Sequence, residues 1–112
     1  MDRPLELAFH NMDPSSEIDL HVRGRVRKLE ELYKHIIGCR VTIERQNHTH
    51  TSGDTPDVHI NIQVPGQEII VSRQHSRGEA PLTTVNHAFD AAAFQLKEYK
   101  ARKMNHIKQH TA

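Results

Sequence analysis

The chain has a single cysteine, no tryptophan, and only two tyrosines and three phenylalanines among its 112 residues. One cysteine, Cys39, excludes an internal disulfide and a thiolate metal cage. Cys39 falls between an expected helix end and a strand, where a small buried hydrophobe fits better than a reactive thiol. The few aromatics read mostly as core residues, which argues against a platform for stacking single-stranded bases. No apolar run approaches the length that spans a bilayer. The opening Met1-Asp2-Arg3-Pro4 has neither the basic start nor the apolar stretch of a signal peptide. A cytoplasmic location without a membrane partner is therefore expected. Also missing are a phosphate-cradling glycine loop, a G-x-S-x-G elbow and an acid pair that the pattern would bring together. Nothing supports an enzyme, a catalytic residue or a small-molecule substrate.

What is present is charge in blocks. The net charge is only +1, but it is unevenly spread. Residues 21–40 carry Arg23, Arg25, Arg27, Lys28, Lys34 and Arg40 against Glu30 and Glu31. Residues 97–112 carry Lys97, Lys100, Arg102, Lys103 and Lys108 against Glu98. The intervening and leading segments are acidic. Two basic blocks inside a near-neutral chain point to a polyanionic partner. The bland alternative is a solvated surface whose lysines offset helix macrodipoles.

The apolar pattern predicts the order β-α-β-β-β-α. Leu5, Leu7 and Phe9 alternate as a short strand. Asp13 with Pro14, or Ser16 with Asp19, supplies the cap of a first helix. Ile18, Val22, Val26, Leu29, Leu32, Tyr33 and Ile36 form its apolar stripe as far as Ile37, and Gly38 ends it. Gly24 lies off that stripe. Val41 and Ile43 mark a second strand, and 46–57 a polar loop. Val58, Ile60, Ile62 and Val64 alternate strictly, and Pro65-Gly66 turns the chain into a fourth strand over 68–72. After a second polar loop, Thr83 or Thr84 starts a last helix with Val85, Phe89, Ala92, Leu96 and Tyr99 inward. The expected fold is α+β: a four-stranded mixed sheet with both helices on one face. Residues 1–105 form one domain, and 106–112 a basic, flexible tail.

Ten histidines raise the question of metal. His48 with His50, and His106 with His110, have chelating spacings, but no acid is placed to complete either pair. No metal and no cofactor are expected. Histidine protonation below about pH 6.5 would instead add positive charge for a polyanion.

The first helix, Val22-Arg23-Gly24-Arg25-Val26-Arg27-Lys28-Leu29-Glu30-Glu31-Leu32-Tyr33, resembles that of the ribosome hibernation-promoting and ribosome-associated inhibitor family, also called the sigma-54 modulation family. Its members commonly show an apolar residue, a lysine and a lysine-leucine at three-residue steps. Val64-Pro65-Gly66-Gln67-Glu68-Ile69 resembles the family's glycine turn and acidic-apolar strand, and Gln95-Leu96-Lys97-Glu98-Tyr99-Lys100-Ala101-Arg102 its basic final helix. The segment Pro81–Val85 lacks the acidic-apolar-tyrosine-alanine signature usual there. The resemblance covers about residues 5–105 and is to the short form. It implies a domain lodged in the messenger and transfer RNA channel of the small ribosomal subunit, keeping idle ribosomes inactive during stress or stationary phase. It further implies that Arg25, Lys28, Lys100 and Arg102 contact rRNA phosphates, with Arg23, Lys97 and Lys103 as more general basic contacts. Arg25 and Lys28 are expected to face solvent. Longer relatives continue into a domain that pairs ribosomes, so dimerisation here would need a separate factor. The alternative is a regulatory protein-interaction adaptor on the same scaffold.

Overall fold

Strict alternation along the strands leaves the sheet with one apolar face, and the helices are built to cover it. In a computed structural model of the chain the elements run β1 (Glu6–His10), α1 (Ser16–Leu32), β2 (Gly38–Glu44), β3 (Asp57–Val64), β4 (Gln67–Arg73) and α2 (Pro81–His110). Residues 1–45, 55–76 and 78–110 are described, the last six for their backbone alone. The expected loop over 46–57 lies largely outside them, as do the side chains of the His48–His50 and His106–His110 pairs. The sheet order is β1-β2-β3-β4, with β1 parallel to β2 and the other neighbours antiparallel. The expected α+β architecture, with a mixed sheet in the order β-α-β-β-β-α, is what the chain adopts.

Register sorts the side chains. Leu7, Val41, Ile60 and Val71 stand in one cross-strand row, and Cys39, Ile62 and Ile69 in another. Onto these rows pack Ile18, Val22, Val26 and Leu29 of α1, and Val85, Ala88, Phe89, Ala92, Leu96 and Tyr99 of α2. Phe89, Ile43, Ile60, Ile62 and Leu96 are among the largest fully buried side chains. Gly66 takes φ +84° behind Pro65, as a tight turn with glycine in its third position requires.

Three helix boundaries differ from expectation. The cap of α1 is Ser15, whose extended backbone (φ −113°, ψ 118°) lets its hydroxyl accept the Ile18 N–H at 3.2 Å. This cap places Ile18 and Val22 over the sheet. At its other end α1 stops at Leu32, more than a turn before Ile37, because the chain at Ile37 is already committed to the sheet. The Ile37 N–H donates to the Gln63 carbonyl at 2.8 Å, and its own carbonyl accepts from Asp2 and Arg3. Gly38 therefore opens β2 and is not a helix cap; a side chain there would meet Gln63 Oε1 at 3.0 Å. Finally, α2 begins at Pro81, ahead of Thr83. Proline at the first helical position gives up only an N–H that would have had no partner in the helix.

Thr84 is fully buried and donates its hydroxyl to Glu79 Oε1 at 2.5 Å. That bond holds Glu79 below the usual carboxylate range, and Arg73 and His87 lie 3.8 and 3.4 Å from its other oxygen. The segment between β4 and α2 is thereby latched to the helix start. α2 then continues to His110, carrying the backbone helix past the boundary expected at residue 105. The flexible tail expected over 106–112 lies outside the described residues, at 106–110 for its side chains and at 111–112 altogether.

Two expectations follow. Gly24 is exposed in mid-helix, and a β-carbon there would meet nothing within 4 Å. Gly24→Ala should raise stability by about 0.5–1 kcal/mol in urea unfolding. Cys39 is buried, and desolvation first, with Glu30 second, pushes its thiol up to about 12. A thiol-specific chromogenic reagent should therefore leave the native protein unmodified at pH 8 and label one thiol once it is unfolded in urea.

Candidate nucleic-acid interface

The two faces of the molecule differ in how their charges are used. On the open face of the sheet, polar groups are paired between strands: the ion pair of Arg40 with Glu6 at 2.9 Å, and the His59 ring against the Glu44 carboxylate at 3.4 Å. Asn61 donates to Glu68 there, and His59 meets Ser72. Such a face offers little net charge to a polyanion. The helical side is different.

α1 and α2 lie side by side and run in the same direction, because their contacts advance together along both. His21 and Arg25 both donate to Asn86 Oδ1, at 2.6 and 3.0 Å. Arg25 also reaches Asp90 at 2.7 Å, and its guanidinium lies 5.7 Å from the centre of the Phe89 ring. One turn and more further on, Lys100 Nζ donates to the Leu32 carbonyl at 3.1 Å, and Tyr33 meets Tyr99. At 100° per residue, His21, Arg25, Lys28 and Leu32 share the flank of α1 turned to this seam. Asn86, Asp90, Ala93, Lys97, Lys100 and Met104 share the matching flank of α2. Lys28 and Lys97 are exposed and lie between the contacts at Arg25–Asp90 and Leu32–Lys100.

The structure therefore divides the expected site residues into three groups. Lys28, Lys97, Lys100 and Lys103 gather along the C-terminal half of the seam. Arg23 sits on the opposite flank of α1, where it pairs with Asp19 at 2.6 Å beside the β1 edge. Arg102, off the seam like Arg23 and grouped with it, is on the far flank of α2, above Gln67, Glu68 and Ile69. Arg25 belongs to neither exposed group. Its side chain is only 19% exposed and serves as the bolt between the helices, so the expectation that it faces solvent is corrected. Sequence periodicity places it on the proper flank, but Asn86 and Asp90 are what draw it inward.

The site also holds groups that sequence reading passes over. Where α1 ends, a hollow of about 430 Å³ is lined by Glu31, Leu32, Tyr33, Lys34, His35, Lys100, Lys103 and Met104. Tyr33 stands edge-on to both His35 and Tyr99, with ring centres 5.5 Å apart in each case. Desolvation, then the hydrogen bond with Tyr99, raises the Tyr33 phenol above its ordinary pKa, keeping it protonated. Extending the helical stripe to Ile37 hides this hollow, because it reads Tyr33, Lys34 and His35 as one more helical turn. Among the described residues no three His, Cys, Asp or Glu side chains gather to hold a metal, and no helix is long and apolar enough to cross a membrane.

The fold has counterparts among known proteins. The family model described as sigma 54 modulation protein / S30EA ribosomal protein matches residues 5–104. A ribosomal subunit interface protein from Coxiella burnetii has a similar structure, with TM-score 0.70 and 15% identity over 87% of this chain and 97% of the other. The N-terminal domain of Protein Y from Thermus thermophilus superposes with TM-score 0.65 and 16% identity, over 84% and 94%. No curated protein sequence matches the chain.

The bolt gives a testable consequence. Arg25→Glu sets a third acceptor group against Asp90 and Asn86, and should lower stability by about 1–2 kcal/mol in urea unfolding. Lys28→Glu, on the exposed side of the same flank, should change stability by less than about 0.5 kcal/mol.

Proposed function

The chain belongs to the sigma 54 modulation protein / S30EA ribosomal protein family, and from that premise we propose that it binds rRNA in the messenger and transfer RNA channel of the small ribosomal subunit. Occupying that channel keeps idle ribosomes inactive during stress or stationary phase. The mode of action is steric, with no covalent chemistry, and its place of work is the cytoplasm, where ribosomes are. One of the two similar structures is of a protein named as a ribosomal subunit interface protein, a name that suits such a role.

The observation that carries this reading is the lysine row on the helical side. Lys28, Lys97, Lys100 and Lys103 project from two helices held in fixed relation by Arg25, Asn86 and Asp90. Lysines on a rigid seam neutralise successive phosphates and release their counterions, which gives affinity without reading sequence. α2 strengthens the row. Its last buried described residue is Tyr99, and Lys100 to Met104 are all exposed, so its end reaches beyond the sheet as a cationic rod. Arg102 extends the contact on the other side of that rod. Arg23, tied to Asp19 on the β1 side, contributes general basicity and no fixed contact.

Co-sedimentation with purified small subunits tests the reading. The unaltered protein should co-migrate stoichiometrically at low salt, and its apparent affinity should fall steeply as salt rises. Lys28→Glu combined with Lys97→Glu should abolish co-migration at moderate salt while leaving the urea midpoint nearly unchanged. Each lost phosphate contact should lower the slope of log affinity against log salt by about one. Failure of the unaltered protein to co-migrate at low salt would overturn the reading and favour an adaptor that engages a protein partner.

A further inference from the structure

Lysines alone explain phosphate binding, but they do not explain the hollow at the end of the seam. Its volume, about 430 Å³, suits a ligand of nucleotide size. Its apolar walls are the bodies of Leu32, Tyr33 and Met104, the last 52% exposed. Its rim carries Lys34, Lys100 and Lys103 against Glu31. An inorganic phosphate would use the rim and waste the walls. An apolar peptide would use the walls but bring no anion to Lys34, Lys100 and Lys103, of which Lys100 donates to the Leu32 carbonyl and Lys103 lies 5.8 Å from the centre of the Tyr99 ring. The ligand that satisfies both is planar and apolar on its faces, with an anionic group at one end.

We propose that this hollow takes one unstacked nucleotide of single-stranded RNA, its base against the Tyr33 ring and its phosphate on Lys34, Lys100 and Lys103. The inference rests on the RNA-binding reading above and makes it specific, adding a base contact to a phosphate-tracking seam. Three features support it. Tyr33 is partly exposed, and its ring orientation is set by edge-to-face contacts with His35 and Tyr99. Tyr99 is itself anchored, donating its hydroxyl to the Pro65 carbonyl at 2.6 Å. The stacking surface is therefore preorganised, and little side-chain freedom is lost on binding. Second, Lys100 uses one of its three N–H groups on the Leu32 carbonyl and retains two for a phosphate. Third, Leu32 and Lys100 of the hollow stand about one turn beyond Lys28 and Lys97 on the same helix flanks, so a strand leaving the seam can deliver a nucleotide to it. Glu31 on the rim supplies an acceptor for an exocyclic amino group, which suits a base such as adenine.

The test compares labelled hexa-adenylate with an abasic ribose-phosphate strand of equal length, by fluorescence anisotropy with the full chain. The base-bearing strand should bind about tenfold more tightly, the range expected for stacking one base on an aromatic ring. Tyr33→Leu should remove that difference while leaving affinity for the abasic strand unchanged. Because Tyr33 also leans on Tyr99, its variant is paired with His35→Ala at an exposed position, which should reduce the difference about threefold in a protein of unaltered thermal midpoint. Equal affinity for the two strands, or a tenfold difference that survives in both variants, would overturn the nucleotide site. Small-subunit co-sedimentation of the same proteins keeps the two readings apart. Co-migration with equal strand affinities sinks only the hollow, and a base-dependent difference without co-migration sinks only the channel reading.

Discussion

Two amphipathic helices share one apolar sheet face, and that constraint determines much of the rest. β2 and β3 are central strands whose inward residues are wholly buried, while their outward residues form polar cross-strand pairs. With only one face to cover, α1 and α2 must lie side by side, and their adjoining flanks must make a seam. A seam between parallel helices needs polar groups that satisfy one another at its rim. His21, Arg25, Asn86 and Asp90 do this at one end, and Lys100 with the Leu32 carbonyl does it further along. The charges left over are lysines.

That division of labour between cations has a physical basis. Arg25 presents a planar, forked guanidinium that can meet Asn86 and Asp90 at once and lie against Phe89. Lysine has no such fork; its ammonium is a strongly hydrated point charge on a flexible stem, suited to solvent and to phosphate. The cation that bridges two partners across the seam is thus the arginine, and the exposed cations along it, Lys28, Lys97 and Lys100, are lysines. A reading that treats all basic residues on one helical flank as equivalent misses this difference.

Much of the fold was legible in the sequence. Period-two alternation located three strands, the Pro65-Gly66 turn led into the fourth, and the stripes of both helices named nearly all of the helical part of the core. Helix ends were less legible because they depend on long-range contacts. α1 ends where it does because Ile37 bonds to Gln63 and to the N-terminal segment, and no local signal at Tyr33 announces this. The same gap concealed the hollow. Of the candidate site residues, periodicity correctly grouped Arg25 with Lys28, but exposure could not be read from one helix alone. It required knowing that Asn86 and Asp90 stand opposite, sixty-odd residues away in sequence.

The length of α2 beyond Tyr99 has a thermodynamic consequence of its own. An isolated peptide of about ten residues would scarcely be helical in water, because the first turn must be nucleated at a large entropic cost. Here nucleation is already complete, supplied by the turns of α2 that rest on the sheet. Each further residue needs only propagation, a step close to free-energy balance. The overhang therefore lengthens or frays one residue at a time, without a cooperative transition. Repulsion among Lys100, Arg102 and Lys103 favours a shorter helix, and neutralising them favours a longer one. By this argument a polyanion that neutralised them would bias the overhang toward its longer form by small steps, with no cooperative threshold to cross.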